Sequence, residues 1–194
     1  SGIQAINAPA RDSYARADAL FDTQLDQLER RDGTPFSRAE YHALRQAGLP
    51  VSPMLEGEII TQDGTRLTLI GIDPLTLSSD NALAQANTSA SLSDFLTPPW
   101  QTRVAPDTLA ALEIARENAS AATPTLADGK TLPPLVLAPA LPPDTLIMDI
   151  AAAARLLESG DQLTRIVAAP GALAEAPPGL TLTRATTLAS PGQL

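Results

Sequence analysis

The chain has 194 residues, 44% of them hydrophobic and 3% aromatic, and carries a formal net charge of −9 at pH 7. An acidic chain with a single lysine lacks the dense basic patch that nucleic acid or an anionic membrane surface requires. The absence of cysteine excludes disulfides, thiol catalysis and cysteine-based zinc sites.

The first 29 residues predict a weakly structured lead-in and then a strand. Residues 3–22 are rich in alanine and polar side chains, which indicates a helix or a loosely ordered segment. Apolar and polar residues alternate over residues 21–29, FDTQLDQLE, so a half-buried strand is expected there. In this pattern Leu25 lies on the apolar face and Asp26 on the polar face.

A helix follows over residues 37–47. Ser37 and Glu40 have the spacing of a capping box, in which each side chain accepts a hydrogen bond from the other residue's backbone. Gly48 suits the left-handed position after the last helical residue. Both ends of the helix are therefore marked in the sequence.

The next predicted feature is a hairpin that ends in a sharp corner. Asp63-Gly64 predicts a tight two-residue turn between the strands MLEGEIITQ and TRLTLIGID. The second strand stops at Asp73-Pro74, because proline donates no backbone hydrogen bond and the Asp73 side chain accepts one from the backbone that follows. Gly71 allows another part of the chain to approach the strand closely.

The second half of the chain begins with an irregular segment. Residues 78–100 are small and polar, which indicates an insertion or a mobile connection. The predicted elements beyond it are, in chain order, strand QTRVA, a helix over residues 106–116, a hairpin about Asp128-Gly129, strand TLPPLVLA, strand TLIMD, a helix over residues 150–157, strand LTRIVAA and one further strand in the tail.

The sequence contains no complete motif for nucleophilic catalysis or phosphate binding. The single histidine, His42, lies inside the predicted helix without a Gly-x-Ser-x-Gly elbow, so a place on the helix surface or boundary is expected. Residues 128–131, DGKT, contain the Gly-Lys-Thr of a phosphate loop, but Pro124 stands where that loop requires glycine. A hairpin is therefore expected around Lys130.

Carboxylates give the remaining candidates. Glu56 and Glu58 share one face of a predicted strand, and a hydrolase would use them, or Asp73, as acid and base; a solvated strand face is the favoured alternative. Asp149 ends a strand and opens a helix, as an N-cap residue does. We predict no catalytic, cofactor-binding or metal-ligating residue, and we expect the chain not to be an enzyme.

Three stretches, in order, resemble the extracytoplasmic core domain of the MacB/FtsX-like ABC transporter permeases, a family that includes the LolC/LolE lipoprotein transporters. They are VSPMLEGEIITQDGTRLTLIGIDPLT, RVAPDTLAALEI and DTLIMDIAAAARLLESGDQLTRIVA. The positions of the first and third stretches that match the family pattern are Val51, Pro53, Gly57, Gly71, Ile72, Asp73 and Pro74, and Asp149, Ile150, Ala153, Leu156, Leu157, Gly160, Leu163 and Ile166.

This resemblance implies an α+β fold with two parts. Residues 1–77 and 139–194 would form a mixed strand–helix subdomain from both ends of the chain, and residues 78–138 a smaller α/β subdomain inserted into it. The domain would lie between the first two membrane helices of a permease, outside the bacterial cytoplasmic membrane. Residues 1–22 and 181–194 would then be stalks leading to those helices.

The resemblance also implies a function and its partners. The domain would couple cytoplasmic ATP hydrolysis to the movement or binding of a lipoprotein, peptide, lipid or periplasmic protein. Its partners would be the membrane helices of a dimeric permease, an ATPase subunit and a periplasmic protein or lipoprotein; neither nucleic acid nor a cofactor is implied. The alternative is a free-standing periplasmic module that binds a ligand or a protein.

Overall fold

The structure is a computed structural model that describes residues 25–77 and 92–185. The elements of these ranges are β1 (Asp26–Arg30), β2 (Phe36–Ser37), α1 (Arg38–Gln46), β3 (Val51–Ile60), β4 (Arg66–Ile72), α2 (Leu92–Leu96), β5 (Thr102–Val104), α3 (Pro106–Ala111), a 3-10 helix (Arg116–Ala121), β6 (Leu135–Leu137), β7 (Thr145–Asp149), α4 (Ile150–Leu157), β8 (Gln162–Leu163), β9 (Arg165–Ala168) and β10 (Leu180–Thr183). The predicted lead-in and most of the predicted connection over residues 78–100 lie outside the described residues.

Eight strands form one mixed sheet in the order β10-β1-β9-β3-β4-β7-β5-β6, while β2 and β8 pair with each other. β7 is parallel to β4 and β6 is parallel to β5, and the other neighbours are antiparallel. The predicted α+β class is therefore confirmed. β5 and β6, which come from the predicted insert of residues 78–138, are the last two strands at one lateral edge of this same sheet. The division of the chain into two subdomains stays a prediction.

Both faces of the central strands are buried. Leu69 of β4 and Leu146 of β7 belong to the core on the face covered by α3 and α4. Ile70 and Ile147, one residue further along each strand, belong to the core on the opposite face, where Phe95 of α2 packs. This arrangement explains why TLIMD reads as a continuous apolar run rather than as an alternating one.

Helix α1 has the predicted capping box. The Ser37 Oγ accepts a hydrogen bond from the Glu40 N–H at 3.1 Å, and the Glu40 Oε1 accepts one from the Ser37 N–H at 2.8 Å. Gly48 has the left-handed φ of 89° expected after the helix. Tyr41 is buried, and His42 is exposed on the helix surface, as the sequence indicated.

The loop between β3 and β4 is longer than predicted. The Thr61 N–H donates to the Thr65 carbonyl at 2.9 Å, so three residues, Gln62 to Gly64, form the loop instead of two. Gly64 alone among them has a positive φ, 94°. The Asp63 carboxylate accepts hydrogen bonds from the N–H and the hydroxyl of Thr65, which stabilises the wider loop.

Helix α3 is shorter than the predicted residues 106–116. Glu113 adopts a left-handed φ of 61°, and the Ile114 N–H donates to the Leu109 carbonyl at 3.2 Å. Leu109 and Ile114 also belong to one apolar cluster. This is the Schellman arrangement, which ends a helix and usually uses glycine at the left-handed position. Without a glycine signal, the sequence pattern did not mark this end.

The predicted corner at the end of β4 is confirmed. β4 ends at Ile72, and the Asp73 carboxylate accepts a hydrogen bond from the Leu75 N–H at 3.1 Å. Gly71 lies directly under α4: a Cβ built at this position would stand 2.6 Å from the Cβ of Ala153 and 3.0 Å from the Cα of Ile150. The strand and the helix therefore approach each other through a residue without a side chain.

We expect Gly71→Ala to destabilise the fold by roughly 1–3 kcal/mol, because the new methyl group overlaps backbone and Cβ atoms that cannot rotate away. Gly57→Ala is the matched control: its Cβ would meet the Leu157 Cδ2 at 2.7 Å, the end of a side chain that can move. Urea unfolding of both variants measures the difference. Equal losses in the two variants would contradict this account of the corner.

Candidate functional site at the lower end of the sheet

The strand directions bring the distinctive parts of the sequence to one end of the sheet, which we call the lower end. The first residues of β1, β3, β5 and β6 and the last residues of β4, β7, β9 and β10 lie there. This end carries the corner after β4, the start of α4 and both points at which the described chain enters and leaves the sheet.

The two best-matched motifs meet at the lower end. Ile72 of β4 is paired with Asp149 of β7 in parallel register. The Asp149 carboxylate accepts a hydrogen bond from the Ala151 N–H at 2.9 Å, so Asp149 is the N-cap of α4, as predicted. The corner residue Asp73 holds the next turn, because its carboxylate also accepts a hydrogen bond from the Thr76 hydroxyl at 3.0 Å.

The arrangement at the lower end also shifts the pKa of Asp149. It is 7% exposed, and burial raises the pKa of its carboxyl above the ordinary value. The hydrogen bond from Ala151 works in the opposite direction, and the negative charge of Asp73 adds to the increase in the pKa. The negative form of Asp149 caps the helix at the cost of its own desolvation.

The predicted position of Asp26 is wrong. The alternating pattern put it on an exposed face, but it is 1% exposed. Its carboxylate accepts hydrogen bonds from the Gly171 N–H at 2.9 Å, the Ala185 N–H at 2.7 Å and the Arg184 Nη1 at 3.0 Å. These partners follow β9 and β10, so a single carboxylate joins the start of β1 to two later parts of the chain. Local alternation carries no signal for such distant partners.

The candidate carboxylates Glu56 and Glu58 do not form a solvated face. Glu56 forms an ion pair with Arg165 of β9 at 3.0 Å, and its side chain is 9% exposed. Glu58 forms an ion pair with Arg66 of β4, also at 3.0 Å. The favoured solvated face was therefore wrong for Glu56, which Arg165 covers, whereas Glu58 and Arg66 keep 25% and 30% of their side chains exposed to solvent.

The other two candidate residues, His42 and Lys130, make contacts that stabilise the fold. His42 lies beside the Tyr41 ring on α1, with 5.5 Å between the ring centroids. Lys130 forms ion pairs with Asp128 and Glu158, which tie the hairpin around Gly129 to the end of α4.

Within residues 25–77 and 92–185, no cluster of three or more metal-ligating side chains occurs. Nor does any helix in these ranges have the length and apolar character to cross a membrane.

Two residues with unusual positions were missed by the sequence analysis. Arg103 of β5 is fully buried, its guanidinium lies 4.0 Å from the centre of the Phe95 ring, and burial lowers its pKa to about 10. Trp100, just before β5, has a left-handed φ of 62°. The only signal available was that the single tryptophan follows two prolines.

Two solved structures with similar folds are extracytoplasmic domains of ABC-type transporters. The extracellular domain of the noncanonic ABC-type transporter YknZ from Gram-positive bacteria has a TM-score of 0.46 and 7% identity, with 74% of this chain and 81% of that chain covered. The periplasmic region of MacB from Actinobacillus actinomycetemcomitans has a TM-score of 0.43 and 12% identity, with 76% of this chain and 75% of that chain covered.

Comparison with protein-family models gives no match, and comparison with curated proteins gives none.

Replacing Asp149 separates its role as a cap from the cost of its charge. Asp149→Ala is expected to lose about 1 kcal/mol of stability, because the Ala151 N–H loses its acceptor. Asp149→Asn keeps an acceptor and carries no charge, so it is expected to be at least as stable as the wild type at pH 7. Thermal unfolding at several pH values measures both effects.

The pH dependence has a definite sign. Because the folded-state pKa of Asp149 is raised, the wild type binds a proton more readily when folded, and this contribution to stability is present at low pH and lost as the pH rises through the folded pKa. The advantage of Asp149→Asn over the wild type should therefore be largest at neutral pH, shrink as the pH falls through the raised folded pKa of Asp149, and be smallest below about pH 4, the ordinary pKa of aspartate. An advantage that grows on acidification would contradict the burial argument.

Asp26→Ala is expected to cost roughly 2–4 kcal/mol, because it leaves two backbone N–H groups without a buried, charged acceptor. Amide hydrogen exchange at Gly171 and Ala185 should accelerate in the variant. Asp26→Asn keeps one acceptor oxygen, so its stability and its exchange rates at the two amides should lie between those of Asp26→Ala and the wild type. Unchanged exchange at both amides in Asp26→Ala would show that the carboxylate does not hold these segments.

Proposed function

We propose that this chain is the extracytoplasmic domain of an ABC transporter permease, carried between two membrane helices. The observation that carries the proposal is the side-by-side position of the two ends of the described fold: the Ala185 N–H donates to the Asp26 Oδ1 at 2.7 Å. A domain inserted between consecutive membrane helices has to receive the chain from the membrane and return it to the same side.

The topology meets this requirement by strand pairing. β1 and β10 are antiparallel neighbours, with Gln27 opposite Thr183. The chain therefore enters β1 and leaves β10 at the lower end of the sheet. Adjacent termini are common in domains, but here the Asp26 carboxylate also ties them together through its bonds to Arg184 and Ala185.

The motifs behind the family resemblance support the same proposal. Gly71 and Ala153 come from two separate matched stretches, and they are in contact in the structure through the close approach of β4 and α4. A domain that passes movement from one surface to another has to be rigid, and this contact joins the sheet to its covering helix without an intervening side chain.

The role that we propose is mechanical coupling without catalysis by this chain. Cytoplasmic ATP hydrolysis would move the membrane helices of a dimeric permease, and this domain would pass the movement to a periplasmic protein, lipoprotein, peptide or lipid. The negative net charge of −9 agrees with a partner other than nucleic acid.

The experiment uses the absence of cysteine from this chain. In the full-length natural protein, with any other cysteine replaced by serine, Leu75→Cys introduces a thiol at a residue that is 70% exposed near the lower end. We expect a membrane-impermeant maleimide to label it in intact cells of the native host. Ile70→Cys is the control, because Ile70 is buried and should react only after denaturation.

Labelling of Leu75→Cys only after the cells are lysed would end the proposal. The gene should also encode an apolar run of about 20 residues on each side of this segment. A signal peptide before the segment and a stop codon soon after it would instead support the free-standing periplasmic binding module.

A further inference from the structure

An apolar groove lies between α4 and the segment that precedes β6. Its volume is about 470 Å³, within the range of ligand-binding sites in proteins. Its walls include Trp100, Leu132, Pro133, Ala152, Arg155 and Leu156. We call it the Trp100 groove. All the residues that line it belong to the described part of the chain.

Trp100 is held at this groove in an unusual backbone conformation. Its φ of 62° lies in the left-handed region, which bulky side chains rarely adopt and which costs free energy. The Trp100 N–H donates to the Thr97 carbonyl at 2.8 Å, which closes the turn before β5. The ring packs against the core under α4 and is still partly exposed at the groove.

Arg155 gives the groove a positive charge. Its guanidinium lies over the Trp100 ring, 5.5 Å from the ring centre, and the residue is exposed on α4. Among the described residues, Arg155 forms no ion pair with a carboxylate, whereas Lys130, which also lines the groove, is paired with Asp128 and Glu158. A guanidinium stacked on an aromatic ring keeps its N–H groups available at its edge.

We propose that the Trp100 groove binds an extended segment of a partner protein in which a large apolar side chain stands next to an acidic one. The apolar walls would hold the first side chain, and Arg155 would form a charge-assisted hydrogen bond with the second. Tryptophan and arginine are the residue types that most often dominate the energy of protein interfaces. This inference goes beyond the proposed function and holds whether or not the chain belongs to a transporter.

Charge complementarity decides the chemistry of the occupant. The chain as a whole has a net charge of −9, which disfavours acidic partners in general, so an acidic partner needs a local positive site such as the one at Arg155. A basic segment would be repelled by Arg155, because no carboxylate of the described residues is paired with this arginine. The occupant is therefore expected to be acidic despite the acidity of the whole chain.

Trp100 is itself the probe, because the chain contains one tryptophan. When the quenching by each ion is divided by its quenching of free N-acetyltryptophanamide, iodide should quench Trp100 at least twice as efficiently as caesium, since the anion is attracted to Arg155 and the cation is repelled by it. Arg155→Gln should remove or reverse this preference. Arg38→Gln, an exposed arginine on α1, is the matched control and should leave the preference unchanged.

Binding is then measured by titrating purified protein with tryptophan-free hexapeptides in which Leu, Ile, Val or Pro stands next to Glu. Matched sets carry Gln or Lys in place of Glu. We expect saturable changes in Trp100 emission with members of the Glu set, at least threefold weaker binding with Gln and at least tenfold weaker binding with Lys. In Arg155→Gln the Glu and Gln sets should bind alike, with an unchanged circular dichroism spectrum and thermal midpoint.

Four results would overturn the proposal. The first is that no Glu peptide binds saturably, and the second is that Glu and Lys peptides bind alike. The third is that Arg155→Gln keeps the preference for Glu. The fourth is that no peptide changes the Trp100 emission, whereas phosphatidylglycerol vesicles do, or the protein's own self-association, measured by sedimentation, does. The cysteine-labelling experiment is independent of all four, so failure here leaves the proposed location of the domain untouched.

Discussion

The close approach of β4 and α4 at Gly71 is the constraint on which the rest of the fold depends. With the Cβ of Ala153 and the Cα of Ile150 within 2.6 and 3.0 Å of a Cβ built at Gly71, the helix lies directly on the sheet. The buried face of α4 is accordingly made of small residues, Ala152 and Ala153. Gly57, on the neighbouring strand β3, receives Leu157 in the same way. The two glycines together set the position of the helix along the strands.

A sheet buried on both faces leaves little water for charged side chains, and the polar residues of this protein are arranged accordingly. Asp26 is satisfied by groups that follow β9 and β10, and Glu56 on β3 by Arg165 on β9. Arg103 lies over an aromatic ring. An unpaired charge at such positions would be strongly unfavourable. Asp26 and the Glu56–Arg165 pair therefore link parts of the chain that are far apart in the sequence.

The elements with local signals were predictable, and those that depend on distant partners were not. Ser37 with Glu40 and Asp149 with Ala151 satisfy backbone groups within three residues of themselves, so the sequence shows where α1 and α4 begin. The left-handed residues Glu113 and Trp100 carry no such signal, because glycine is the usual residue in that conformation.

The order of the strands and the site itself depend on long-range contacts. β1 pairs with β9 and β10, more than 130 positions along the chain, and alternation of apolar residues identifies a strand but not its neighbours. The Trp100 groove combines three separate parts of the sequence, around Trp100, Leu132 and Arg155. The corner of β4 was predictable because its glycine, aspartate and proline are consecutive or nearly so, whereas the helix that covers Gly71 had to be placed by the structure.

The pairing of β1 with β10 also determines how the domain resists force. In antiparallel pairs the hydrogen bonds run perpendicular to the strands. If the rest of the sheet is held in place, a pull that draws both ends of the described chain away from it in the same direction leaves β1 and β10 in register and loads the bonds between β1 and β9 simultaneously, in shear. A pull that separates the two ends peels β10 from β1 and breaks the hydrogen bonds between these strands one after another. The domain is therefore mechanically strong when its two attachments move together and weak when they move apart.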